Sequence, residues 1–185
     1  SQNVIDGGSG AGIWTEVGDE RDNISDSNSV AGITGNGGRA DNRCTGDGTT
    51  MGCEGEGIGL MGSMNRVRNN VAANTLHCYI QWSFANGAFQ PIKEFSGNEA
   101  AGCRNGLEAW ETFGGGDFNR FTCWNNTETC FYGYTMAGIH LTDWLVRGDP
   151  RNPKTLAYLK PGFWFGDSGA FDTVILRPGV QNMYY

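Results

Sequence analysis

The chain has no long apolar run, no CxxC pair, only two histidines, only five prolines and fewer positive than negative charges. Each shortage removes a class of protein. A membrane helix needs about 20 consecutive apolar residues, and no stretch approaches that, so no membrane span is expected. Thirteen Lys and Arg against twenty Asp and Glu leave a net charge of -7, which repels nucleic-acid phosphate and excludes nucleic acid as a partner. Without CxxC spacing the cysteines form neither a zinc module nor a thioredoxin-type redox pair. His77 and His140 alone are too few for a histidine-rich metal centre. The residues that favour helix interiors, Ala, Leu, Glu and Lys, are thin.

What is abundant points the other way. Thirty glycines, many Asn, Asp and Thr, and 12% aromatic residues describe short strands joined by tight turns. The expected class is mainly β: a disulfide-stapled β-sandwich or jelly-roll-like domain with long Gly- and Asx-rich loops and at most one or two short helices. Six cysteines in a loop-rich chain imply a disulfide framework and an oxidising, extracellular setting. The chain opens at Ser1 without a leader pattern, as a processed secreted form would. Six cysteines allow fifteen connectivities. Short loop closure favours sequential pairing, Cys44 with Cys53, Cys78 with Cys103 and Cys123 with Cys130, each contributing about 3 kcal/mol in the chain-entropy model.

Residues 1–56 read as an N-terminal arm, with one short strand at Ala11 to Val17 followed by a polar loop that Cys44 and Cys53 would close. Residues 57–185 read as the β-rich core. Leu76 to Phe84 alternates cleanly, placing Leu76, Cys78, Ile80, Trp82 and Phe84 inward and His77, Tyr79, Gln81 and Ser83 outward. Asn86-Gly87 is a hairpin signal, and Pro91 marks the following run as an edge strand or bulge. Leu107, Trp110 and Phe113, three apart, predict a helical turn over Gly106 to Phe113. Phe121 to Tyr134 predicts a hairpin stapled at its neck by Cys123 and Cys130, with the sequon residue Asn125 at its tip. Leu141 to Val146 fits strand and helical turn equally, and no internal repeat stands out.

Gly166-Asp167-Ser168-Gly169 resembles the nucleophile signature of trypsin-like serine proteases, with His77 and Asp117 or Asp143 as triad partners. The 17 residues after Ser168 (185 minus 168) are too few for the rest of such a barrel, so the motif reads as a turn between Phe163–Phe165 and Phe171–Leu176. Glu108 and Glu111 beside Trp110, with Asp117 beyond, are the candidate carboxylates of a glycoside hydrolase; a solvated helical face explains them as well. Asp19, Asp22 and Asp26 form a candidate calcium loop rich in hard oxygen donors, although the EF-hand pattern is missing. No other cofactor is expected. Asn23 and Asn125 begin N-glycosylation sequons. Arg147-Gly148-Asp149 serves as a turn before Pro150.

Six tryptophans are too many to ignore. Those that are not core or interface can stack on sugar rings, and Trp14 and Trp124 are the candidates for exposure. Three functions follow. The first is a non-catalytic extracellular structural or assembly subunit, a homo-oligomer or polymer joined by β-strand and aromatic contacts. The second is a secreted carbohydrate-binding module. The third is a secreted glycoside hydrolase using Glu108, Glu111 and Asp117.

Overall fold

The computed structural model describes residues 2–15, 20–35, 55–82, 90–110, 112–148, 162–171 and 174–181. Their strands follow a three-beat order. The first coil is β1 (Val4–Gly8), β2 (Ile13–Thr15) and β3 (Ile24–Asp26); the second is β4 (Ser29–Ile33), β5 (Glu56–Leu60) and β6 (Arg66–Arg68). The third is β7 (Val71–Ala73), β8 (His77–Trp82) and β9 (Glu94–Ser96); the fourth is β10 (Glu99–Ala101), β11 (Asn105–Trp110) and β12 (Gly116–Asn119). The fifth is β13 (Thr122–Trp124), β14 (Thr129–Ala137) and β15 (Ile139–Thr142); the sixth is β16 (Leu145–Arg147), β17 (Phe163–Phe171) and β18 (Val174–Leu176), with β19 (Gly179–Gln181) opening a seventh.

Every third strand pairs with the next in parallel. This builds a seven-stranded sheet A (β1-β4-β7-β10-β13-β16-β19), a six-stranded sheet B (β17-β14-β11-β8-β5-β2) and a six-stranded sheet C (β18-β15-β12-β9-β6-β3). The protein is a three-sided parallel β-solenoid. The mainly β expectation holds, and the sandwich or jelly roll is corrected: those folds pair neighbouring strands antiparallel, whereas here consecutive strands lie in different sheets.

One corner explains how such a sequence winds. Where sheet C turns into sheet A, a single left-handed residue redirects the chain at each coil: Ser27 (φ 57°), Asn69 (54°), Gly97 (66°), Arg120 (51°), Asp143 (57°) and Arg177 (50°). Gly97 has a second reason to lack a side chain, since a Cβ there would meet Asn69 Oδ1 at 2.7 Å. The residue after each of the first five bends is buried. In the early coils it is asparagine, and the amides stack: Asn3 Nδ2 donates to Asn28 Oδ1 (2.8 Å), Asn28 Nδ2 to Asn70 Oδ1 (2.9 Å) and Asn70 Nδ2 to Asn98 Oδ1 (3.1 Å). Each rung also takes a backbone N–H, as from Asn70 N to Asn98 Oδ1 (3.0 Å). Buried amides so paired satisfy groups that would otherwise cost about 1–3 kcal/mol each.

From the fifth coil the same corner position is aromatic, Phe121 and then Trp144, whose rings lie 4.6 Å apart. Polar stacking thus gives way to apolar stacking along one line of the solenoid. Around it Tyr79, Phe95, Phe118, Phe131 and Leu141 are fully buried, with Tyr79 set edge-on to both Phe95 and Phe121 at 5.5 Å. The Tyr79 hydroxyl donates to Asn70 O at 2.8 Å, and burial pushes its pKa well above the ordinary value.

Several local expectations are revised. No helix occurs among the described residues, and the turn expected at Gly106 to Phe113 is strand β11: its Leu107 and Ala109 face the core, while Trp110 belongs to a separate outer cluster. Cys123 and Cys130 are bonded to each other, but they bridge sheets A and B across a corner and do not close a hairpin. Cys78 is bonded to Cys103; Cys44 and Cys53 lie outside the described residues. Of the strand expected at Ala11 to Val17, Ile13–Thr15 form β2, paired with β5 of the same chain through Ile13↔Ile58 and Trp14↔Gly59, and Glu16 and Val17 lie outside the described residues. Strands β1 to β4, all before residue 57, run in the same three sheets as the rest. Asp167-Ser168-Gly169 is no turn; it lies within β17, the partner of the equally long β14. In β8 Cys78 lies in the main core as expected, but Tyr79 lies there too, while Ile80 and Trp82 belong to the outer cluster.

Candidate functional site

The outer face of sheet A carries an exposed tryptophan. Trp124 sits on β13 next to two core-facing elements, Cys123 and the corner, so alternation turns its ring outward, where 44% of it is exposed. Its indole N–H donates to Glu99 Oε1 on the preceding coil at 2.8 Å. In register with Trp124 stand Ala101 on one side and Arg147 on the other, and the row continues through Ala73 to Ala31. Small residues keep that approach low. The arrangement is an upright aromatic plate, fixed in orientation by a carboxylate, beside a flat strip of sheet. Such a pair offers an apolar face and an adjacent hydrogen-bond acceptor.

The outer face of sheet B gathers chemistry that the sequence scatters. Glu108 faces outward between the core residues Leu107 and Ala109, yet it is only 5% exposed. Its Oε2 lies 2.7 Å from His77 Nδ1 and accepts from Asn105 Nδ2 at 3.0 Å; Thr129 Oγ1 donates to Asn105 Oδ1 at 2.9 Å. Glu56, fully buried, is in register with His77. One carboxylate, that of Glu108, thus accompanies the imidazole in a site closed to solvent. A closed pair positions strands and cannot reach a substrate. Removing the imidazole leaves the buried Glu108 carboxyl without that partner, so His77→Ala should destabilise the fold by about 1–3 kcal/mol, and Glu108→Gln by less because its amide still bonds Asn105. Thermal unfolding of both variants checks this order.

Further along sheet B, Trp82, Trp110 and Tyr134 stack in register at 5.6 and 4.9 Å, and Tyr132 meets Trp164 at 5.5 Å. Trp14 belongs to this face too. It is half-buried, with its indole nitrogen enclosed and without a hydrogen-bond partner, and it lies across Gly59, where an added Cβ would come within 1.9 Å of the ring. Trp14 is therefore packed against the sheet, while Trp124 stands free of it.

The other candidate residues are dispersed. Asp117 lies on sheet C with His140 Nδ1 at 2.9 Å, on a different face from Glu108; Glu111 lies outside the described residues. Asp22 is paired with Lys93 and lies 3.9 Å from Arg66. Asp26 bonds Asn69 at 3.1 Å and Arg68 at 2.9 Å. The hydrogen bond from Lys93 holds the Asp22 carboxyl below its ordinary pKa, and those from Asn69 and Arg68 do the same for Asp26. A carboxyl whose folded pKa is depressed supports the fold above its unfolded pKa and loses that support as pH falls through the folded value. Both are thus engaged by cations, and Asp19 lies outside the described residues. Among the described residues no three His, Cys, Asp or Glu side chains converge as a metal site would require. Asn23 is exposed, whereas Asn125 is half-buried in the left-handed turn after Trp124 (φ 56°). No helix among the described residues is long and apolar enough to cross a membrane.

Sequence reasoning named Trp124 but missed Glu99, Glu56 and Asn105. The residues of each group lie on different coils, and only the coil register joins them. No family model, curated protein or solved structure matches the chain.

Proposed function

We propose that the protein is an extracellular glycan-binding solenoid whose contact point is the Trp124–Glu99 ledge on sheet A. The observation that carries this reading is the exposed indole held at 2.8 Å by a carboxylate. Its hydrogen bond to Glu99 fixes the ring's orientation, so the indole spends little conformational entropy on binding. A pyranose offers one apolar C–H face for the indole and equatorial hydroxyls for the remaining acceptor capacity of Glu99. The net charge of -7 favours neutral or cationic sugars over acidic ones.

The test is a glycan array followed by titration of a positive oligosaccharide. Trp124→Ala should weaken binding by about tenfold to a hundredfold, in line with the loss of a buried aromatic anchor. Glu99→Gln should weaken it less, and Trp164→Ala, at an exposed tryptophan on sheet B, should leave it unchanged. Full affinity in Trp124→Ala would refute the assignment. The hydrolase reading is less favoured because Glu108 is sealed and Asp117 faces elsewhere.

A further inference from the structure

Four acidic side chains along the coils are each held by an arginine. Asp26 and Glu94 flank Arg68 at 2.9 and 3.5 Å, Glu128 meets Arg104 at 2.9 Å, and Asp143 meets Arg177 at 2.6 Å. Glu99 meets no cation among the described residues. Half-buried on β10, it stands in register between Val71 and Thr122, and its carboxylate accepts the indole N–H of Trp124. The strands of sheet A carry a single Lys or Arg, Arg147. It lies in register with Trp124 on the sixth coil, two strands and so about 10 Å from the strand of Glu99. The ledge is therefore an anion beside an open aromatic ring, with uncharged neighbours on either side.

We propose that Glu99 and Trp124 together take a cationic sugar, a 2-amino-2-deoxy pyranose whose amine is free. The inference rests on the glycan reading of the ledge and names the sugar. An ammonium is drawn to the face of an indole, and with a carboxylate it forms a charge-assisted hydrogen bond, stronger than one a hydroxyl makes. Both partners are present here, one hydrogen bond apart. A pyranose resting its C–H face on Trp124 carries its substituents at the ring edge. Glu99 sits at the nitrogen edge of the indole, within reach of an equatorial amine. N-acetylation keeps an N–H donor and removes the charge, while a uronic acid would set a second carboxylate against Glu99. From Trp124 the row continues through Ala101, Ala73 and Ala31 in steps of about 4.8 Å. That strip is low enough for further sugars of the same polymer to lie along it.

The test is calorimetric titration with glucosamine and N-acetylglucosamine oligosaccharides of equal length at about pH 6, where an amine of this kind is charged. The wild-type protein should bind the free-amine ligand about fivefold more tightly, as an exposed ion pair predicts. Glu99→Gln keeps an acceptor for the indole N–H, so it should fold as before and bind the two ligands equally. Glu94→Gln makes the same change of charge on sheet C and should keep the fivefold preference, which separates the ledge from the general pull of an acidic protein on a cation. Trp124→Ala should weaken both ligands. Equal affinities in the wild type overturn the inference, and so does a preference that survives Glu99→Gln; in either case weaker binding by Trp124→Ala leaves the glycan reading standing. A wild-type protein that binds neither ligand also overturns the inference, and the array then decides the glycan reading by itself. Full affinity for both ligands in Trp124→Ala removes the two together.

Discussion

Replacing Asn70 with alanine should lower stability by about 3–5 kcal/mol, far beyond the usual effect of trimming a polar side chain. The residue is fully buried in the third coil and speaks to the coils on both sides. Its Oδ1 accepts from Asn28 N and Asn28 Nδ2, both at 2.9 Å, and its Nδ2 donates to Asn98 Oδ1 at 3.1 Å and to Ser25 O at 2.9 Å. Alanine removes one link and orphans several groups that water cannot reach, and each orphan carries the cost of its own desolvation. The amides also polarise one another along the row, so the whole should exceed the sum of its pairs. Urea unfolding should show the midpoint falling with the slope unchanged. A loss below about 1 kcal/mol would mean that the amide row follows the winding without holding it.

Trp144→Ala should cost about 4–5 kcal/mol, and Trp144→Phe about 1–2 kcal/mol. Trp144 is 1% exposed and takes the corner position that asparagine holds in earlier coils. Its ring meets Phe121 at 4.6 Å, Phe131 at 5.6 Å and Phe163 at 5.8 Å, and its indole nitrogen donates to Phe118 O at 2.8 Å. Alanine loses the packing, opens a cavity and orphans that carbonyl; phenylalanine keeps most of the contact area and loses the donor. Paired denaturation curves separate the two contributions. Equal losses in both variants would assign the stabilisation to the hydrogen bond alone.

The strand content was legible because glycine, Asx and aromatic composition reports local preference directly. The cysteine pairs Cys78–Cys103 and Cys123–Cys130 follow from the same proximity along the chain that made short loops favourable. The winding was not legible, for a physical reason. Successive rungs of the amide row are 25, 42 and 28 residues apart, since loops of different length leave the corners while the strands keep register. The row then changes from asparagine to Phe121 and Trp144, so no residue type repeats throughout. The left-handed bends fall on Ser27, Asn69, Arg120, Asp143 and Arg177 as well as on glycine, which hides the turn signal. Alternation identified β8 as a strand but could not say which face was the core, because Tyr79 and Trp82 are both buried on opposite sides of it. The His77–Glu108 pair and the Trp124–Glu99 ledge depend on which coil lies above which.

The central functional claim is that a sugar ring rests on Trp124. The chain has six tryptophans, hence six indole N–H signals in a nitrogen-15 correlation spectrum, and Trp124→Ala identifies one of them by its disappearance. Titrating the labelled protein with an oligosaccharide positive on the array should move that signal while leaving buried Trp144 in place. A spectrum in which the Trp124 signal stays still while another indole moves would contradict the account.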